Sequence, residues 1–204
     1  MAVYRHPQVA KEGWLFIAIA AIIAVTLHYA VSSILAGVVW LIVLFLLFVF
    51  RDPARKIPPS PLGIVSPVDG EVITVDEIHD DYLDRDVKRI SINMSSFGVR
   101  SVRSPTEGKV QNRWFNTGAE KRPHHALWVQ TDENDDVVIE MIPPKFPPPV
   151  CKVQSGERVG QGARCGFLYL TGKINLFLPK DALVQVAVGD QVTGGSDVVA
   201  TLHK

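Results

Sequence analysis

Two long apolar runs near the N-terminus constrain the fold of this chain more than any other feature. Trp14–Ala30 and Ile34–Phe50 contain no Asp, Glu, Lys or Arg, and His28 is the one side chain in them that readily becomes charged. Each run has 17 residues, which is the short end of the range for a helix that spans a bilayer. The polar pair Ser32-Ser33 between them suits a tight turn. The pattern predicts a two-helix transmembrane hairpin with spans at 14–30 and 34–50.

Two other interpretations of the apolar runs are a helical hairpin buried in a soluble domain and a cleaved signal peptide. The second run is as apolar as the first and the small-residue cleavage pattern is weak, which disfavours the signal peptide. Basic residues flank both outer ends of the hairpin, and these are Arg5, Lys11, Arg51, Arg55 and Lys56. Positive flanks tend to stay in the cytoplasm. We therefore expect a multi-pass protein of the cell (inner) membrane, with the rest of the chain on the cytoplasmic side.

The sequence changes character after Phe50. The segment 51–62 is rich in proline and basic residues and predicts a stiff connector between the N-terminal segment, 1–50, and a domain at 63–204. In that domain, runs with β propensity alternate with Gly, Pro and Asp turns; the runs are Glu71–Val75, Arg89–Asn93, Lys109–Phe115, Leu127–Gln130, Val137–Ile142, Gly166–Leu170, Ile174–Leu178 and Leu183–Val186. This pattern predicts an all-β barrel or sandwich. Its two cysteines, Cys151 and Cys165, are expected to be free thiols of a structural kind.

Two internal repeats refine the predicted β fold. Ser66–Val72 (SPVDGEV) is matched by Ser104–Val110 (SPTEGKV), and each reads as a turn that leads into a strand. Gly156–Gly162 (GERVGQG) is matched by Gly189–Gly195 (GDQVTGG). The second pair resembles the strand–turn pattern of biotinyl/lipoyl-type barrel sandwiches, so the fold class is an all-β barrel-sandwich preceded by the hairpin. A carrier role is disfavoured, because neither turn holds the lysine that carrier attachment requires, whereas a plain adaptor role unrelated to lipid stays open.

Six motifs occur in an order that resembles one known family. They are the apolar hairpin with Phe50–Arg55 (FRDPAR), Ser66–Gly70 (SPVDG), Ile90–Pro105 (ISINMSSFGVRSVRSP), Val137–Glu140 (VVIE), Gly156–Gly166 (GERVGQGARCG) and Leu170–Pro179 (LTGKINLFLP). Together they resemble the short, membrane-anchored bacterial and archaeal phosphatidylserine decarboxylases, from the hairpin to nearly the last residue.

The resemblance implies a particular chemistry at Leu170–Pro179. In the family this segment runs roughly F-G-S-R-V-D-V-Y-L-P; its Gly-Ser bond breaks and the serine becomes a pyruvoyl group. That group takes the amine of phosphatidylserine and acts as an electron sink while carbon dioxide leaves. Gly172 stands at the position of the serine in this chain, and glycine has no hydroxyl. We therefore expect this chain to form no pyruvoyl cofactor.

Two other family positions bear on the same chemistry. Asp69 matches the family's aspartate, although an Asp-Gly turn before a strand accounts for it on structural grounds. The family's Asp-Val-His corresponds to Gly98-Val99-Arg100, and arginine stays protonated, so Arg100 cannot replace the histidine as a base. The proline-rich run 142–150 (IPPKFPPPV) replaces an apolar and basic family segment and removes its paired arginines.

Two hydroxyl residues are candidates to rescue the activity. Thr171 lies one residue before the serine position, which reverses the face of a strand. Ser196 follows Gly195 and so provides a Gly-Ser bond, but the repeat places it in a turn. Two further polar groups are expected to be structural: His124-His125 as a surface pair, and the acidic run 132–136 as a solvated turn without the spacing of a calcium loop.

The sequence therefore predicts a membrane-anchored, phosphatidylserine decarboxylase-like protein of phospholipid (phosphatidylethanolamine) metabolism that does not process itself. We expect it to bind phospholipid membrane or to act as the partner of an active homologue or of further copies of itself. The alternative is an active pyruvoyl-dependent decarboxylase, a carboxy-lyase, that uses Thr171 or Ser196. Formal net charge is zero, which gives no reason to expect a nucleic-acid partner.

Overall fold

The computed structural model describes residues 8–60, 62–115, 125–144 and 147–203. The chain divides into two compact units, a helical unit that ends at Ala54 and a β unit that begins at Arg55. The helical unit contains a 3-10 helix at Lys11–Gly13, α1 at Trp14–Ala30 and α2 at Ser33–Val49. Both predicted apolar runs are therefore helical.

Small residues allow α1 and α2 to pack closely as a hairpin. Ala24 and Ala36 are buried, and a Cβ on Gly13 would overlap Cγ of Phe50. The side chain of Ser32 caps α2 by accepting a hydrogen bond from the backbone of that helix at 3.3 Å. Ser33 is already helical, so the turn between the helices is shorter than the sequence indicates.

The outer surface of the helical unit is apolar. Its large exposed side chains include Leu15, Ile22, Ile34, Leu41 and Phe45, each at least half exposed. The stretch Lys11–Ala30 is long and apolar enough to cross a membrane by length and composition, whereas α2 is a shorter apolar helix.

The β unit contains fourteen strands in the described part of the chain. They are β1 Gly63–Val65, β2 Gly70–Asp80, β3 Arg85–Met94, β4 Ser101–Arg103, β5 Gly108–Phe115, β6 His125–Gln130, β7 Asp136–Ile142, β8 Val150–Cys151, β9 Arg158–Val159, β10 Arg164–Phe167, β11 Lys173–Pro179, β12 Leu183–Val184, β13 Gln191–Val192 and β14 Val198–Thr201. Eight form one antiparallel sheet in the order β13-β2-β3-β11-β7-β6-β5-β9. Two three-stranded antiparallel sheets, β1-β14-β12 and β4-β10-β8, complete the unit. The predicted mainly β character is confirmed.

The sequence repeats correspond to a repeated structure. Gly70 of β2 pairs with Val192 of β13, and Gly108 of β5 pairs with Val159 of β9 in the same way. The four glycines that open and close the second repeat, Gly156, Gly162, Gly189 and Gly195, have positive φ angles of 92°, 70°, 97° and 75°. Such angles disfavour other residues. The strand order β1-β14-β12 of one three-stranded sheet corresponds to the order β4-β10-β8 of the other. The two halves of the β unit therefore share the same topology.

Strand β11, which carries the family-like segment, lies in the middle of the large sheet and is buried on both faces. Ile174, Leu176 and Leu178 enter the main core, as their alternation predicts. On the opposite face Phe177 packs in a second apolar cluster with Val87, Ala126 and Val138. Asn175 is also buried there, and its amide donates to Glu140 Oε2 at 2.7 Å.

Some local predictions were wrong. The strand predicted at Gly166–Leu170 ends at Phe167, because the chain turns before it enters β11. His125 is buried, with 3 % exposure, rather than a surface residue. It pairs with Phe115 across β5 and β6 and its ring lies 5.7 Å from the ring of Phe115. His124, the other member of the predicted pair, lies outside the described residues.

Other local predictions are confirmed. The acidic run forms the turn between β6 and β7, where Asn134 has a φ of 68° and Asp132 forms an exposed ion pair with Arg158 at 2.8 Å. Cys151 and Cys165 are free thiols. Burial raises the pKa of both, which makes them poor nucleophiles.

Candidate functional site

Three positions that the sequence singles out converge where β2 and β11 begin and β3 ends. The backbone N–H of Ser95, just after β3, donates to Asp69 O at 2.9 Å. The N–H of Met94, the last residue of β3, donates to Gly172 O at 2.9 Å. On the far side of the following loop, Arg100 O accepts from Leu168 N at 3.0 Å. The antiparallel order of the sheet therefore brings Asp69, Arg100 and Gly172 to one end of the β unit.

The carboxylate of Asp69 connects three separate segments of the chain. Its Oδ1 accepts from the backbone N–H of Gly194 at 2.8 Å, and its Oδ2 accepts from Val99 N at 3.1 Å. Oδ2 also forms an ion pair with Nη2 of Arg55 at 2.6 Å, with the side chains 18 % and 19 % exposed. Asp69 thus has a larger structural role than an Asp-Gly turn, because its carboxylate accepts hydrogen bonds from three separate segments of the chain.

Arg55 and the N–H groups of Gly194 and Val99 are the site components that sequence reasoning missed. The sequence marks Arg55 only as a basic flank of the hairpin and a member of the FRDPAR motif. Gly194 belongs to the second internal repeat, which indicated a turn but not what the turn contacts. Pairing of β13 with β2 is what brings that turn to Asp69.

Gly172 fills a position that has no room for a side chain. A Cβ built there would overlap the carbonyl oxygen of Ile142 and lie 2.9 Å from Cδ2 of Leu168. Both neighbours are fixed: Ile142 belongs to β7, which pairs with β11, and Leu168 is 1 % exposed in the main core. The backbone of β7 therefore closes over this position.

Arg100 places a cation at the position where the sequence resemblance implies a histidine. Nη2 of Arg100 donates to Ser96 O at 3.2 Å, within its own loop. Nε and Nη1 are buried and have no hydrogen-bond acceptor in the part of the chain that the structure describes. Burial lowers the pKa of the Arg100 guanidinium, yet the pKa of arginine starts so high that the group remains charged at neutral pH.

Thr171 and Ser196 occupy different places near the site. Thr171 is half-buried in the segment between β10 and β11, immediately before Gly172. Ser196 lies in a turn, as predicted, where its N–H donates to Thr193 O at 3.2 Å. That turn includes Gly194, the donor to Asp69, so tertiary structure brings Ser196 closer to the site than its sequence position indicates.

Large apolar side chains border the same end of the sheet. Phe97, in the loop after β3, is 75 % exposed, Leu170 is 49 % exposed and Ile142 is 40 % exposed. We call these three residues the apolar rim. The proline-rich run starts at Ile142, so three departures from the family pattern meet at one place: Gly172, Arg100 and the start of this run.

The fold and this site define a class of protein: an apolar helix pair followed by an internally repeated antiparallel β domain, with a site where strands from both repeats meet. Residues 42–141 match the family described as phosphatidylserine decarboxylase. The chain is 36 % identical to the phosphatidylserine decarboxylase proenzyme of Nitrosomonas europaea, over 98 % of both chains. It is 34 % identical to the proenzyme of Aromatoleum aromaticum, over 98 % of both, and 34 % identical to that of Burkholderia pseudomallei, over 98 % of this chain and 97 % of the relative.

The chain therefore belongs to the phosphatidylserine decarboxylase family, which links it to phospholipid metabolism. A solved structure, glucose permease IIA from Mycoplasma capricolum, aligns with 68 % of this chain and 94 % of its own length, with a TM-score of 0.44 and 19 % identity.

Proposed function

We propose that this chain is a member of the phosphatidylserine decarboxylase family that does not process itself and that binds phospholipid at a membrane surface. The observation that carries the proposal is the packing of Gly172. Self-processing in this family requires a serine hydroxyl to attack the preceding carbonyl, and here both the hydroxyl and the space for its Cβ are missing.

The second requirement is a base beside the nucleophile. Arg100 occupies the expected position, and a charged guanidinium has no lone pair with which to take a proton. The nearest candidate base, Asp69, has both carboxylate oxygens engaged by Arg55 and two backbone N–H groups. Loss of the nucleophile and of the base at one site supports a binding role over a catalytic one.

The helical unit supports a membrane location. Among the described residues of the helical unit, nothing covers the apolar outer surfaces of the two helices, and a bilayer satisfies such surfaces. Basic residues at both outer ends favour a hairpin whose ends lie in the cytoplasm, with the β unit on that side of the inner membrane. In this arrangement the protein binds lipid itself, or supports an active homologue or a further copy of this chain on the same membrane.

Mass spectrometry of the purified full chain tests the proposal. We expect a single intact species of 22.5 kDa. Two fragments, one with an N-terminus blocked by a carbonyl group, would contradict it. A detergent assay for conversion of phosphatidylserine to phosphatidylethanolamine is expected to show no activity above a protein-free control.

An active decarboxylase is the second candidate function, and the position of Ser196 is the observation that favours it. The turn at Thr193–Asp197 contacts Asp69 through Gly194, so a Gly-Ser bond lies near the residue that matches the family's aspartate. Activity that disappears in Ser196→Ala or in Thr171→Ala, together with loss of chain cleavage in the same variant, would establish this function.

A further inference from the structure

Among the described residues, Arg100 is notable for hydrogen-bond donors that are buried without an acceptor. Two of its nitrogen atoms are buried with no acceptor among the described residues, and its third nitrogen makes one long hydrogen bond, at 3.2 Å, to Ser96. A buried donor on a charged group is among the more costly features of a folded protein when nothing accepts its proton. A bound molecule that supplies the missing acceptor is one physical reason for such a group in a native protein.

The surrounding charges favour an anionic ligand. The nearby carboxylate of Asp69 cannot serve Arg100, because Oδ1 accepts from Gly194 and Oδ2 accepts from Val99 and Arg55. Arg55 pairs with Asp69, and Arg100 has no ion-pair partner among the residues that the structure describes. Lys173, exposed at the start of β11 next to Gly172, adds a second positive charge.

The apolar rim indicates that the ligand is not a small ion alone. Phe97, Leu170 and Ile142 come from three separate segments, and all three expose large apolar surface at the end of the sheet where Arg100 lies. Exposed apolar surface next to a specific polar group is typical of a binding site for an amphipathic molecule. A free inorganic anion would use Arg100 and gain nothing from the rim.

We propose that Arg100 binds the anionic head group of a phospholipid, with the start of its acyl chains against the apolar rim. This inference rests on the proposed function and identifies the residue that carries it out. A phosphate or carboxylate oxygen accepts from the guanidinium, whose planar set of donors suits either group. Because Nε and Nη1 are buried, the loop Ser95–Gly98 must shift when the lipid enters. The long hydrogen bond from Arg100 Nη2 to Ser96 O is the first to break.

The test uses the full chain in neutral detergent and soluble dihexanoyl phospholipids, with binding followed by calorimetry. Wild type is expected to bind dihexanoyl phosphatidylserine about tenfold or more tightly than dihexanoyl phosphatidylcholine. Arg100→Met is expected to lose about tenfold or more of the affinity for phosphatidylserine, since it removes a charge-assisted contact. Arg113→Met is the matched control, because Arg113 is an exposed arginine of β5 in the same unit, and it should leave binding unchanged.

The ligand-free stability of Arg100→Met gives an independent result. An arginine with unsatisfied buried donors destabilises the free protein, so the variant is expected to melt at a higher temperature than wild type. If Arg100 had a purely structural role, Arg100→Met would melt at a lower temperature than wild type. A lower melting temperature together with unchanged lipid binding would therefore overturn the inference.

The remaining outcomes separate the inference from the proposed function. Lipid binding that is equal in wild type and Arg100→Met overturns the role of Arg100 and leaves a lipid-binding function standing. Wild type that binds neither short-chain lipid contradicts the proposed function as well. Inorganic phosphate that binds as tightly as the lipid, and competes with it, shows that the site takes free phosphate and overturns the lipid assignment.

Discussion

Restoring a serine at position 172 is expected to damage this protein without giving it activity. In Gly172→Ser the new Cβ overlaps the carbonyl oxygen of Ile142 and lies 2.9 Å from Cδ2 of Leu168. Neither atom can withdraw easily, since one belongs to a paired strand and the other to the core. The start of β11 must therefore move as a unit.

Forcing extra atoms into a closely packed region costs about 1 to 3 kcal/mol. For a protein of this size, that loss lowers the melting temperature by roughly 2 to 12 °C. Gly172→Ala should account for most of the decrease, because the overlap comes from the Cβ. Thr171→Ala is the matched control: it changes the adjacent half-buried position without adding an atom, and it should change the melting temperature much less.

The assay combines thermal melting with mass spectrometry of the same samples. Gly172→Ser, and Gly172→Ser with Arg100→His, are expected to remain intact chains. A Gly172→Ser variant that is as stable as wild type would refute the packing argument. A variant that cleaves itself before residue 172 would show that a serine alone restores processing, and would refute the claim that this end of the sheet has closed.

Three further predictions concern groups with partners in the β unit. Asp69→Asn is expected to cost about 1.5 to 3 kcal/mol, because it removes the charge that Arg55 pairs with and turns an amide N–H₂ toward a donor; chemical denaturation measures it. Tyr82→Phe is expected to cost about 1 to 3 kcal/mol, since Glu140 Oε1 loses the hydroxyl that donates to it at 2.8 Å. The pKa of His79 is raised above 6.5 by hydrogen bonds to two aspartates. Its contribution to stability is therefore complete below pH 6.5 and is lost as the pH rises through the raised pKa; denaturation of wild type and His79→Gln between pH 5 and 9 shows the difference.

Each of these predictions has a result that would contradict it. The internal repeat gives a control for Asp69→Asn, because Glu107 is the equivalent acidic residue and its side chain is 69 % exposed; equal losses in Asp69→Asn and Glu107→Gln would refute a special role for Asp69. Tyr82→Phe with unchanged stability would show that water replaces the hydroxyl. If the difference in free energy of unfolding between wild type and His79→Gln grew as the pH rises, it would contradict the prediction for His79.

Much of the fold was predictable because its signals are local. Apolar runs such as Trp14–Ala30 specify helices, alternation within Ile174–Leu178 specifies a strand, and glycines in the repeats specify turns. The burial of His125 was not predictable, because it depends on which strand lies opposite it. The strand predicted to reach Leu170 ends early for a related reason. The chain must turn there because β11 enters the sheet between β3 and β7.

At the site, the sequence alone determined chemical identity: glycine at 172 has no hydroxyl, arginine at 100 is no base, and aspartate at 69 is retained. Tertiary structure decided the partners, the space and the burial of these three residues. It brought Arg55 and Gly194 to Asp69, closed the backbone of β7 over Gly172, and buried two nitrogen atoms of Arg100 without an acceptor. The reason is physical: composition and local spacing fix which groups a residue carries, whereas contacts between strands far apart in the chain fix the space, the burial and the partners that those groups have.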